Sequence, residues 1–404
     1  MQLAVIGAGG RACSMLGEFL KAGVEVKAIA DPDSFTVKQR LTEAGIAYDH
    51  VKFVDNAQTL IDEADDYDGF VIGTRCHLHT PMAIKVAKTG KPLFLEKPVA
   101  INPEQLDALS KAWAGRENQV VVSFPLRVTP LFKIVHEVVR SGRLGVINQV
   151  QAFNNVPYGG VYFQSWYRRF EMVGGLWLQK ATHDFDYLNQ IVNARPVRVA
   201  AMMTQRVFGT GQSLSCDEAS DEELASHIDR HLKAGDEQDI SNSEENLGDR
   251  GSAFHAAIRN QDAGSAIVWY ENGIIVSYDQ NFVTRRSAAR RGAIVTGYNA
   301  TLSWDWTPTG RVQIIDHASS RVDTIDCREE GGHGGGDLML AKRFVRVMKG
   351  EPNEEGNLKD GLLSVGMCLA ARKASQQHTV EVIPAIGDFP PATSVVNPAY
   401  IESA

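Results

Sequence analysis

A chain of 404 residues exceeds one ordinary domain, so two hydrophobic cores are expected. With 44% hydrophobic and 22% charged residues, its composition is that of a globular protein and excludes disordered and fibrous classes. A net charge of -8 argues against a nucleic-acid partner, which needs a basic face.

Residues 1–6 enter an apolar strand with no basic leader or small-residue cleavage site, and no apolar run is long enough to span a bilayer. A cytoplasmic protein without a membrane partner is therefore expected. Cys13, Cys76, Cys216, Cys327 and Cys368 are scattered and odd in number, which suits reduced thiols. No metal is expected, because His227-x-Asp229-x-His231 lacks a third ligand at a defined spacing.

From residue 1 to 122, short β-branched runs at 3–6, 24–29, 70–73, 92–95 and 120–123 alternate with helical spacing at 12–21, 36–44 and 81–89. This alternation predicts an α/β fold that opens with a doubly wound parallel sheet of Rossmann type. After a helix at 130–141, strands of period 2 are expected at 149–155, 197–207, 253–258, 265–270, 274–280, 293–296, 301–305, 312–316 and 322–326. Asn272-Gly273 marks the clearest hairpin turn. Residues 123–404 thus read as a substrate-binding and oligomerisation domain of α+β type, with a large open, mainly antiparallel sheet. Helices at 174–192, 336–349 and 359–376 are available to cover one face. The free face is expected to join a homodimer or homotetramer. The acidic stretch 209–251 reads as a surface insertion carrying a short helix at 221–233, and the residues from Pro384 as an arm over the surface or a partner subunit.

The first strand runs into Gly7-Ala8-Gly9-Gly10-Arg11-Ala12 and then a helix. Gly7, Gly9, Gly10, Arg11 and Ala12 supply a tight turn, close backbone approach and free helix amides, which is what a dinucleotide pyrophosphate needs. Asp31, at the end of the second strand, is placed to accept hydrogen bonds from the adenosine ribose and to repel a 2′-phosphate. NAD is therefore expected over NADP, although Arg11, Lys38 and Arg40 lie near in sequence.

Thr74-Arg75-Cys76-His77-Leu78-His79 followed by Glu96-Lys97-Pro98 resembles the glucose-fructose oxidoreductase, inositol dehydrogenase and MocA (Gfo/Idh/MocA) family, over nearly the whole chain. The resemblance implies that Thr74, His79 and Glu96 line the cofactor, and that Lys97 stands beside nicotinamide and substrate. An ammonium at a parallel strand's carboxyl end can stabilise an alkoxide as its proton leaves. Arg75 and Cys76 replace the Pro and Asn of the family segment.

The segment from Gly174-Gly175 through Gln179-Lys180 to His183 resembles the family helix that carries an acid and, four residues on, a histidine, both on one face. The match gives His183 the acid-base role, with Lys97 and Lys180 holding it neutral by repulsion and Asp184 or Asp186 as orienting carboxylates. Gln179 stands where the family has its acid, which changes the proton path. Tyr158, Trp166, Arg168 and Gln179 are candidate sugar contacts, with Arg127 a further one. His333 in the glycine cluster 331–336 is another, and Asp337 is read as the N-cap of the helix after it.

The expected activity is NAD-dependent oxidation of a hydroxyl on a sugar, cyclitol or related polyol, with Lys97, His183 and Lys180 as catalytic residues. Two other readings stay open: a glycosidase that oxidises, eliminates and re-reduces, and a catalytically silent sensor of NAD or sugar.

Overall fold

The computed structural model describes residues 1–164, 166–211, 253–254, 256–307, 310–327 and 331–387. The expected helix at 221–233, the His227/His231 pair and the tail beyond residue 387 lie outside the described residues.

The first sheet is fully parallel, in the order β3-β2-β1-β4-β5-β6. Its strands are β1 (Gln2–Ile6), β2 (Glu25–Ala30), β3 (Lys52–Val54), β4 (Gly69–Ile72), β5 (Leu93–Leu95) and β6 (Val120–Val122). Helices α1 (Gly10–Lys21), α2 (Ser34–Glu43), α3 (Ala57–Asp62), α4 (Cys76–Ala87) and α5 (Pro103–Ala112) make the crossovers. Chain order reverses between β1 and β4, so the carboxyl ends of these two strands open the crevice where such sheets bind ligands. The three-residue β3 is too short to stand out by periodicity.

Helix α4 begins at Cys76, five residues before the expected start, and takes Pro81 inside it. A proline there removes the N–H that would reach the carbonyl of His77. The Gln105 side chain supplies the missing donor, with Nε2 2.9 Å from that oxygen.

Beyond α6 (Pro130–Arg140), β7 (Ile147–Asn155) leads through the single turn α7 (Phe170–Val173) and a wide π turn at Trp177–Ala181 into α8 (Thr182–Val192). Then follow β8 (Pro196–Thr204), β9 (Ala263–Tyr270), β10 (Ile275–Asn281), β11 (Arg290–Gly297), β12 (Ala300–Thr307), β13 (Arg311–Asp316) and β14 (Val322–Asp326). Helices α9 (Gly336–Met348) and α10 (Leu358–Gln377) and strand β15 (Val380–Val382) complete the described chain. The second sheet runs β14-β13-β12-β11-β7-β10-β9-β8-β15, antiparallel except where β7 lies beside β10.

Two expectations change here. None of the described residues in 253–258 lies in a strand: the carbonyls of Ala253 and Phe254, in a turn, accept from Gly209 and Gly211, while Phe208 and Phe254 pack together. Nor does Asp337 cap α9. Gly335, in the left-handed region, is the N-cap, and Asp337 is free to turn its carboxylate toward Arg11.

Helices α8 and α10 cover one face of the second sheet, while Met202, Ile267 and Trp269 stand exposed on β8 and β9. Helix α10 is buried along most of its length, and Gly361 lets it approach the first sheet, since a Cβ there would lie 3.0 Å from both Val99 and Val122. Helix α9 returns to the first sheet, where Phe344 meets Phe19 and Phe94 edge-on in one core.

Candidate active site

At the crevice, Gly7 takes φ +80°, and a Cβ on it would stand 2.6 Å from the Thr74 side chain, so only glycine fits the turn. Gly73 is as tightly constrained: its Cβ would lie 2.5 Å from that of Ala12, which brings the start of α1 against β4. Above Gly10 the space is open, and no side chain caps the first amides of α1. A helix start with free N–H groups, a glycine floor and room above it fits a pyrophosphate. Asp31 accepts from the Ala8 and Asp33 amides at 2.8 and 2.9 Å, which fixes its carboxylate at the carboxyl end of β2.

The Arg11 guanidinium serves another purpose than the one read from sequence. It forms a two-pronged pair with Asp337, at 2.7 and 2.8 Å, and its Nε lies 3.2 Å from Glu96 Oε1. Ser123 Oγ accepts a further bond at 3.2 Å. Arg11 is thus committed to two carboxylates, and what it offers a cofactor is its backbone amide. Glu96, buried behind it, acts as its counter-ion.

His79 is also buried, with Nδ1 2.8 Å from Pro98 O and Nε2 2.9 Å from Thr74 O. It ties the turn after β4 to the turn after β5. Burial pushes its pKa down, and a neutral ring has one N–H, so it donates to one of these carbonyls at a time.

Lys97 Nζ donates to the backbone carbonyl of Gln179 at 2.9 Å. Burial and the neighbouring Lys180 push its pKa down to about 8. Lys180 donates to the Tyr158 hydroxyl at 2.6 Å and lies 4.3 Å from the centre of that ring. His183, 8% exposed, has a buried Nδ1 without a hydrogen-bond partner. Burial, then the charges of Lys97, Arg291, His333 and Lys180, hold its pKa well below the usual histidine value. The electrostatic coupling joins Lys97, Lys180 and His183 in one cluster at the head of α8.

Neither aspartate orients this imidazole. Asp184 accepts from Arg291, Tyr278 and Asn154 at 2.8, 2.7 and 2.9 Å, and Asp186 pairs with Arg127 at 3.0 Å. That pair, with Asp360 2.7 Å from the same guanidinium, also removes Arg127 from the candidate sugar contacts. Arg127 is a buried cation balanced by two acids, as an interior requires.

His333 has φ +46° and sets Nδ1 3.0 Å from Asp337, so the glycine cluster folds its histidine onto the Arg11 pair. Trp166 stacks on Tyr167 with centroids 3.9 Å apart, and Arg75 lies 4.2 Å over its ring. Arg168 is buried and its Nη1 has no hydrogen-bond partner.

The oxidoreductase-family model for the NAD-binding Rossmann fold matches residues 1–124, and the GFO/IDH/MocA C-terminal domain model matches residues 132–303. The chain belongs to the Gfo/Idh/MocA oxidoreductase family. YteT of Bacillus subtilis strain 168 is 24% identical over 77% of this chain and 79% of its own. Inositol 2-dehydrogenase of Rhizobium meliloti strain 1021 is 27% identical over 37% of the chain, a match that spans 44% of that enzyme. Among solved structures, levoglucosan dehydrogenase in complex with NADH and levoglucosan superposes with a TM-score of 0.74 at 15% identity, covering 95% of this chain and 99% of that one. Myo-inositol 2-dehydrogenase from Lactobacillus plantarum gives 0.68 at 16% identity, over 95% and 99%. The fold is shared with these structures, and residues 1–124 are an NAD-binding Rossmann domain by the family model.

The glutamine that departs from the Gfo/Idh/MocA pattern has a local reason. Gln179 Nε2 donates to Val173 O at 3.3 Å and to Cys76 Sγ at 3.4 Å, and the carbonyl can only accept. An ionised carboxylate there would meet a carbonyl oxygen with no proton to offer. Cys76 in place of the family asparagine is therefore matched to Gln179. Sequence reasoning missed Gly73, Ser123 and Arg291. Gly73 had a readable signal, a glycine at a strand end opposite the small Ala12. Arg291 had none, since it reaches Asp184 across 107 residues.

Proposed function

We propose that the chain oxidises a secondary or anomeric hydroxyl of a sugar, cyclitol or related polyol with NAD. What supports the reading is Lys97, an amine at the carboxyl end of β5, held by the Gln179 carbonyl and kept close to its ionisation point. Gly7, Gly9, Gly10 and Ala12 with Asp31 would hold the dinucleotide, with Thr74 beside the glycine turn. When bound, that cofactor supplies the hydride acceptor.

Lys97 hydrogen-bonds the substrate oxygen and stabilises its negative charge as the O–H bond breaks. His183, kept neutral, offers an imidazole nitrogen to the same hydroxyl. Trp166 and Arg168 are retained as candidate sugar contacts, the latter because its buried Nη1 has no hydrogen-bond partner. His333 Nδ1 is held by Asp337 and Arg11. The exposed face with Met202, Ile267 and Trp269 serves a symmetric homo-oligomer.

Incubation with NAD and a panel of polyols, followed by nicotinamide absorbance, tests the reading. An accumulating reduced cofactor supports it. Full turnover by Lys97→Ala with intact cofactor binding would sink it.

A further inference from the structure

The proposed oxidation leaves the proton without a settled acceptor. A neutral His183 accepts a hydrogen bond but is poorly placed to keep a proton, since Lys97, Arg291, His333 and Lys180 all act against its charged form. The family's acid position holds Gln179, which cannot take one.

Tyr158 offers another acceptor. It precedes the turn at Gly159–Phe163 that packs against Phe282, the residue after β10, and Tyr158 as a whole residue is 38% exposed. Its hydroxyl accepts from Lys180 at 2.6 Å, and that ammonium also lies 5.1 Å from the centre of the Tyr162 ring. Lys180 follows Gln179 directly, so the π turn carries both the carbonyl that anchors Lys97 and the ammonium that anchors Tyr158. No carboxylate among the described residues pairs with Lys180, so its closest partner is a phenol.

We propose that Tyr158 is the acid-base residue of this site, taking the substrate's hydroxyl proton in oxidation and returning it in reduction, with Lys180 as its positioning residue. The inference rests on the reading of the chain as a polyol oxidoreductase. In the step, the substrate O–H bond breaks and its proton bonds to the Tyr158 phenolate oxygen. A bound nicotinamide dinucleotide would accept the carbon's C–H pair as hydride, leaving a carbonyl. Lys180 is the charge partner of the phenolate: burial lowers its own pKa, and Tyr158 acts to raise it again. Lys180 above all, and Arg291 from β11, favour the Tyr158 anion, while burial and Asp184 from α8 oppose it; the net effect holds the phenol below the ordinary tyrosine value. Tyr162 and Cys76, which also face this turn, are pushed up by burial and stay neutral.

Two measurements test this. In the apoprotein, ultraviolet titration of tyrosinate should show one early-ionising tyrosine that is absent in Tyr158→Phe and moves to higher pH in Lys180→Met. In turnover, Tyr158→Phe should lose about a hundredfold or more in kcat with cofactor affinity unchanged. Lys180→Met should carry the rising limb of the pH profile upward, and Lys180→Arg should restore part of it. Wild-type kcat in Tyr158→Phe, or an unmoved tyrosine titration in Lys180→Met, overturns the proposal and leaves the oxidoreductase reading standing. Failure of the wild type to oxidise any polyol overturns both.

Discussion

Asp337 grips the Arg11 guanidinium with both carboxylate oxygens, at 2.7 and 2.8 Å, across 326 residues of chain. Burial alone would raise its pKa, and the hydrogen bonds from His333 and Arg11 overcome that and hold the carboxyl well below the usual range. Asp337→Asn should destabilise the fold by about 1–3 kcal/mol, since Arg11 is only partly buried. A depressed carboxyl contributes stability above the unfolded value of about 4 and loses it as pH falls through the folded value. The gap between wild type and variant in denaturant titrations should therefore be constant above about pH 4 and narrow below it.

Lys97→Met should separate stability from turnover. The folded Lys97 ionises near about 8 against an ordinary 10.5, so folding disfavours its charged form. Wild-type stability should rise with pH across that window, where the unfolded chain binds more protons, and be flat below it. At neutral pH the methionine variant should be more stable by about 2 kcal/mol, after allowance for partial exposure, while turnover disappears. Thermal unfolding beside steady-state rates checks both halves.

In the proposed reading, Asp31 sets the choice between the two dinucleotides. Its carboxylate would meet a 2′-phosphate with like charge, and Arg11 is committed to Glu96 and Asp337. Asp31→Ser should weaken NAD binding and shift the NADP to NAD affinity ratio by about tenfold or more toward NADP. Calorimetric titration with both cofactors decides it; an unchanged ratio would remove Asp31 from the ribose site.

Trp269, 43% exposed on β9, shares the uncovered sheet face with Ile267 and, farther along β8, Met202. If the proposed homo-oligomer forms through this face, Trp269→Glu should dissociate it while leaving the circular dichroism spectrum intact. Sedimentation velocity reads the result, and an unchanged coefficient would place the interface elsewhere.

The sheets were legible because each rests on a local pattern. Strands β1, β4 and β5 are continuous apolar runs with buried faces, β2 becomes one from Ala28 to Ala30, and β9 with β10 alternates about its Asn272-Gly273 turn. The glycine loop was legible for the same reason. What sequence did not reveal is pairing between distant charges. Asp184 sits one residue from His183, yet its partners come from β7, β10 and β11. Arg11 lies in the cofactor loop, yet its charge is used on Asp337. Residues 253–258 read as a strand because apolar and small residues cluster there, while their backbone bonds go to the turn at 209–211.

Helix α9 lays Leu340, Ala341, Phe344 and Val347 into the same core as β1 and α1. During synthesis the ribosome makes the glycine loop first and the helix that braces it more than 300 residues later. A nascent chain therefore holds an unfinished dinucleotide site through most of its translation, with the apolar seat for Phe344 open. Truncated products should be captured by chaperones at that seat, and the full chain released only once α9 has emerged.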